Sequence, residues 1–174
     1  MHGFQLWVNL PARDKMIRPR YQDILAARIP AAQTADGGVK VRVVAGESLG
    51  RQAVIDTRTP IMYLHFTVAP GAYISQPVPA DYNAFAYVFS GEGLLGAREQ
   101  AVVEGQMALF AQDGDEVRLA VSETAKTPLE VLLIAGVPLH EPVVRYGPFV
   151  MNTEEEIYQA IEDYQNGKMG LIDF

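Results

Sequence analysis

Short runs of alternating apolar and polar residues fill the middle of this chain, and each run closes on glycine, proline or aspartate. The clearest places Met62, Leu64, Phe66 and Val68 on one side of an extended segment, with Tyr63, His65 and Thr67 on the other. Successive side chains of a strand point to opposite faces, so this pattern predicts a half-buried strand. Further strands are predicted at 39–44, 84–89, 100–103, 107–111, 117–121 and a strongly apolar 129–135. Many short strands with regular turn signals indicate a sandwich or small barrel.

The two ends differ from this middle. Phe4, Leu6, Val8 and Leu10 alternate with Gln5, Trp7 and Asn9, which predicts an N-terminal strand that Pro11 ends. A short helical turn is expected over 19–24 and a loop over 30–38. At the other end Thr153 and Glu156 form a capping-box pair. Three carboxylates in the first turn also suit the positive end of the helix dipole. An amphipathic helix should follow, burying Ile157, Ile161 and Tyr164 and stopping near Gly167.

Composition narrows the function classes. Nearly half of the 174 residues are apolar, enough for a real core at this length. The formal charge is −7 and no Lys/Arg arm exists, so direct binding to phosphate backbones is not expected. The absence of cysteine rules out disulfides and thiolate metal sites and suits a reducing cytoplasm. No apolar stretch reaches membrane-spanning length. No nucleophile elbow, phosphate loop or dinucleotide fingerprint is present; Gly91-Glu92-Gly93 lies between strands and reads as a hairpin.

Two blocks carry a family resemblance. His2-Gly3-Phe4-Gln5-Leu6-Trp7-Val8-Asn9-Leu10-Pro11, followed by Asp14-Lys15-Met16 and Pro19-Arg20-Tyr21-Gln22, resembles the segment joining the halves of pirins. Pro138-Leu139-His140-Glu141-Pro142-Val143 and Gly147-Pro148-Phe149-Val150-Met151-Asn152-Thr153 resemble the pirin C-terminal signature. With Arg58-Thr59-Pro60 and Ser75-Gln76-Pro77 the likeness covers essentially the whole chain. It implies an all-β cupin fold, a double-stranded β-helix or jelly-roll barrel, with an N-terminal extension strand and one C-terminal α-helix. The expected layout is a strand and linker at 1–38, the barrel at 39–136, and a loop and helix at 137–174.

Pirins are two stacked cupin barrels, with iron or a related divalent metal held in the first by three histidines and a glutamate. Some act as quercetin 2,3-dioxygenases, and animal pirin is a nuclear transcriptional co-regulator. Those ligands precede the His2–Pro11 block, so the resemblance implies a truncated pirin with no such ligand to carry over. Laid without a gap between Gly71 and Gly91, the first cupin motif puts its ligand positions on Pro77, Pro79 and Ala84; the second motif puts its histidine position on Val117. None of these side chains offers a lone pair, so no metal is expected in this barrel. With Ala84 inward, Ala86 and Val88 should also face in and Phe85, Tyr87 and Phe89 out. Pro77, Pro79 and Val117 would join this apolar wall, which is either packed core or a dry pocket for an apolar small molecule.

Among the histidines, His2 lies at the terminus, His65 on the polar side of its strand, and His140 beside Glu141. Adjacent residues on extended backbone point apart, which disfavours a chelate at His140 and Glu141. The expected function is a non-catalytic binding or interaction module without a cofactor of its own. The alternative is part of a metal-dependent dioxygenase whose metal half lies elsewhere. Phe4, Leu6, Trp7, Val8 and Leu10 would meet the partner barrel of a complete pirin. Here they should cover themselves by homodimerisation, or fold back on their own barrel in a monomer.

Overall fold

The computed structural model of the chain describes residues 3–170, so His2 lies outside the described residues. The chain divides into two compact units: Ile24–Pro138, and a second built from the segments before and after it. This redraws the expected layout. Residues 24–38 go with the barrel, and the two terminal segments form one unit together.

In the first unit the strands run β1 (Ala31–Gln33), β2 (Val39–Ala45), β3 (Glu47–Ser48), β4 (Arg51–Gln52), β5 (Ile61–Val68), β6 (Tyr73–Pro77) and β7 (Asn83–Ser90). They continue with β8 (Glu92–Leu95), β9 (Gln100–Val103), β10 (Met107–Leu109), β11 (Glu116–Ala120) and β12 (Leu129–Gly136). A six-stranded sheet in the order β1-β2-β5-β12-β7-β10 faces a four-stranded sheet in the order β6-β11-β8-β9. All pairings within them are antiparallel. Sheets that face one another bury one side of each strand, so the period-two pattern becomes the core. Val39, Val41, Val43, Leu64, Phe66, Val68, Leu119, Leu129, Val131 and Leu133 are all essentially inaccessible to solvent.

β12 sits between β5 and β7 and is buried on both faces, which explains why its sequence is apolar almost throughout. β1 falls inside the expected 30–38 loop. It had too few residues to show a period, and pairing with β2 makes it a strand. The turn expected at 19–24 is absent; the short 3-10 turns lie at Ala12–Asp14 and Ala26–Arg28.

The second unit joins the N-terminal segment to a hairpin of β13 (Val144–Tyr146) and β14 (Phe149–Met151) and to helix α1 (Glu154–Gln165). The capping box forms as the sequence predicts: Glu156 N donates to Thr153 Oγ1 at 3.2 Å, and Thr153 N donates back to Glu156 Oε2 at 3.1 Å. The helix buries Ile157 and Ala160, while Ile161 is half-buried. Tyr164 is a correction. It is exposed, with its ring edge-on to Phe149, because a two-stranded hairpin covers a narrow stripe of the helix.

Residues 4–10 form no strand. Alternation alone cannot hold an extended segment without a neighbouring ladder. Two side chains from the family blocks tie this segment and the turn that follows it. Lys15 Nζ donates to Asn9 Oδ1 at 2.7 Å and to Val150 O at 3.0 Å. Glu141 Oε2 accepts from Ala12 N at 2.8 Å and from Asn152 Nδ2 at 3.0 Å. Glu141 therefore works as a bracket between chain ends rather than as half of a metal pair with the exposed His140.

Candidate functional site

Three parts of the barrel unit could host chemistry: its interior, its open end, and the outer face of the six-stranded sheet. The interior holds the positions at which the sequence comparison places cupin ligands. In the β6–β11 ladder Val117 pairs with Gln76, and Pro77 pairs with Glu116. Paired residues share a face, so Gln76 and Val117 point in, with exposures of 3% and 4%, while Pro77 points out. Val78 is buried and Pro79 exposed. The placement of Pro77 and Pro79 on the inner wall is thus corrected by one residue. A one-residue offset on a strand flips every side chain, and a gapless count between two glycines cannot see where a turn absorbs the difference. Here that turn runs from Pro79, whose carbonyl accepts from Tyr82 N.

The inward set therefore comprises Gln76, Val78, Ala84 (half-buried) and Val117. Its one polar member is already engaged. Gln76 Oε1 accepts from Ser48 Oγ at 2.6 Å, and Nε2 donates to Pro77 O at 2.9 Å. Metal coordination needs several converging N or O donors, and one amide that is tied on both ends does not fit that requirement. Among the described residues no group of three or more His, Cys, Asp or Glu is placed to hold a metal ion. Ala86 and Val88 have no exposed surface and belong to the core cluster.

A cavity of about 230 Å³ at the open end is lined by Val78, Tyr82, Ala84, Phe110 and Val117, with Asp113, Asp115 and Glu116 also lining it. Burial, and secondarily Asp81, raises the Tyr82 hydroxyl above the ordinary tyrosine value. A larger hollow of about 900 Å³ lies between the 46–62 segment and Gln76, Tyr82 and Asp115.

The outer face carries the site that sequence reasoning missed. His65 Nε2 lies 2.5 Å from Glu130 Oε2, and Thr67 Oγ1 donates to the same oxygen at 3.0 Å. With Glu130 ionised the imidazole donates from Nε2. The Phe89 ring sits 5.2 Å from the His65 ring. Lys40 is opposite Thr67, and Arg42 is opposite His65. Thr67 is opposite Glu130 in turn, so two cross-strand rows bring these groups together. A cavity of about 830 Å³ above them is completed by Arg51 from the β3–β4 hairpin. On the same face burial raises the Tyr63 hydroxyl above its ordinary value. The sequence marked His65 as outward and polar, but its partners lie on other strands.

Two facing antiparallel sheets closing around one apolar core define a protein of the cupin class. The model of the pirin C-terminal cupin domain matches residues 63–170. The chain is 48% identical to a pirin-like protein from Solanum lycopersicum over 97% of its length and 57% of that protein's. It is 43% identical to pirin from Homo sapiens, covering 98% of this chain and 58% of the relative. Among solved structures, quercetin 2,3-dioxygenase from Acinetobacter baumannii superposes with a TM-score of 0.83 at 32% identity, over 94% of this chain and 55% of that one. The chain belongs to the pirin family. It spans somewhat more than half the length of these relatives.

Proposed function

We propose that this chain acts as a non-catalytic cupin module of the pirin family, working through binding or interaction rather than through a metal of its own. The observation that carries the reading is the inward set: two valines, an alanine and a hydrogen-bonded glutamine. The alternative, part of a quercetin 2,3-dioxygenase-like pirin, draws on the likeness to the Acinetobacter baumannii enzyme. Elemental analysis of the purified chain after incubation with Fe(II), paired with oxygen uptake on quercetin, separates the two. The expected result is iron well below one per chain and uptake at the buffer rate. Stoichiometric iron with turnover would establish the alternative.

The module's interaction surface is proposed to include residues 4–10, which pair two copies of the chain. Phe4, Trp7 and Val8 are 42%, 71% and 40% exposed, while Leu6 and Leu10 are half-buried. Burying such side chains in an interface is worth on the order of 1.5–3 kcal/mol each before ordering costs. Light scattering at micromolar concentration should give twice the chain mass of 19.1 kDa, and Leu6→Asp should halve it. Trp7 is the only tryptophan, so its emission should shift to the red on dilution of the wild type. A monomer mass with concentration-independent emission would refute the dimer.

A further inference from the structure

The outer-face cavity differs in sign from the protein around it. The chain carries −7 overall, yet this cavity is lined by Lys40, Arg42 and Arg51 against the single carboxylate of Glu130. That carboxylate is engaged by His65 and Thr67, and none of the three cations makes an ion pair among the described residues. Basic groups left without counter-charges around a concave site raise the local concentration of anions. Lys40 and Arg42 stand two residues apart on one face of β2, which spaces their stems by about 7 Å. Arg51 reaches the same space from a separate hairpin. A volume of about 830 Å³ lies within the range of roughly 300–1,000 Å³ typical of small-molecule sites.

We propose that this cavity binds a small organic anion carrying at least two negative charges, either a di- or tricarboxylate or a phosphate monoester. Arg42 and Lys40 hold the two charged ends from β2, with Arg51 closing the opposite rim. Glu130 does not touch the anion; it fixes the His65 ring and the Thr67 hydroxyl beneath it. The site does not depend on whether the chain carries a metal, because it lies on the opposite face of the sheet from the core.

Titration calorimetry at low salt with citrate and with glycerol 3-phosphate tests this on the full chain, and the better of the two identifies the anionic group. Arg42→Ala should weaken binding about tenfold, as expected for loss of one charge-assisted contact. Glu130→Gln should act in the opposite direction, strengthening binding about threefold. That is the effect of removing one repulsive charge about 7 Å away in a solvated site. Added salt should weaken every complex. His65 ring proton shifts on titration would locate the anion at this cavity. Arg42 is exposed, so Arg42→Ala should melt with the wild type, which keeps that comparison free of folding effects. No heat and no His65 shift with either probe at millimolar concentration would overturn the proposal. So would affinities that Arg42→Ala leaves intact, or binding of heparin alone, which would reassign the face to a polyanionic macromolecule.

Discussion

Gly91→Ala is expected to destabilise the barrel by about 3 kcal/mol or more, the sum of a left-handed backbone penalty and a backbone clash. Gly91 has φ +80°, and a methyl group there would lie 2.4 Å from the Pro128 carbonyl oxygen and 3.3 Å from Leu129 Cα. Neither atom can yield easily, because Leu129 opens β12, which is held between β5 and β7. Gly71, the other end of the cupin spacing, is the internal control. Its φ of +78° carries a similar backbone penalty, but its methyl group would meet the flexible side chain of Glu123 at 3.3 Å. Gly71→Ala should therefore cost about 1–2 kcal/mol, the conformational part alone. Urea denaturation of both variants decides the matter, and equal losses would show that the Pro128 contact is not what makes glycine necessary at 91.

Enlarging the interior provides the second test, and here the sign of the effect separates a filled core from a pocket. Ala86 is fully buried on β7, opposite Leu133 on β12 and Ala108 on β10. Extra methylene groups in a close-packed core cost about 1–3 kcal/mol through displaced neighbours. Ala86→Leu is therefore expected to lower stability by that amount. In a dry cavity the same groups would gain about 0.8 kcal/mol each, and the variant would be more stable than the wild type. A stabilised Ala86→Leu protein would restore the apolar-ligand site at Ala86 and Val88. The cavity of about 230 Å³ beside Ala84 and Val117 is the nearer candidate for such a ligand.

Where the local signal was strong, the sequence alone was sufficient. The strict alternation from Met62 to Val68 appears as β5, with alternate residues buried to its end. Thr153 and Glu156 close the helix cap because both partners lie within one turn. Glycine spacing survives between 71 and 91, both with positive φ, since those turns need a conformation that side chains resist. The family blocks were legible as words, though not as contacts.

Tertiary structure decided everything that depends on pairing. Whether Pro77 or Gln76 faces inward is a matter of register, and a strand slipped by one residue has the same composition and the same period. Residues 4–10 have a strand's alternation, yet they form no strand. Extended backbone disfavours Glu141 as a metal donor beside His140, but only the fold shows that its oxygen clasps Ala12, 129 residues away. The outer-face site shows the same limit. His65 and Glu130 are 65 residues apart in sequence, and Lys40, Arg42 and Arg51 lie on other strands. Local periodicity fixes which side of its own strand each residue occupies. Only the antiparallel ladders, formed between distant segments, bring those sides together into one place.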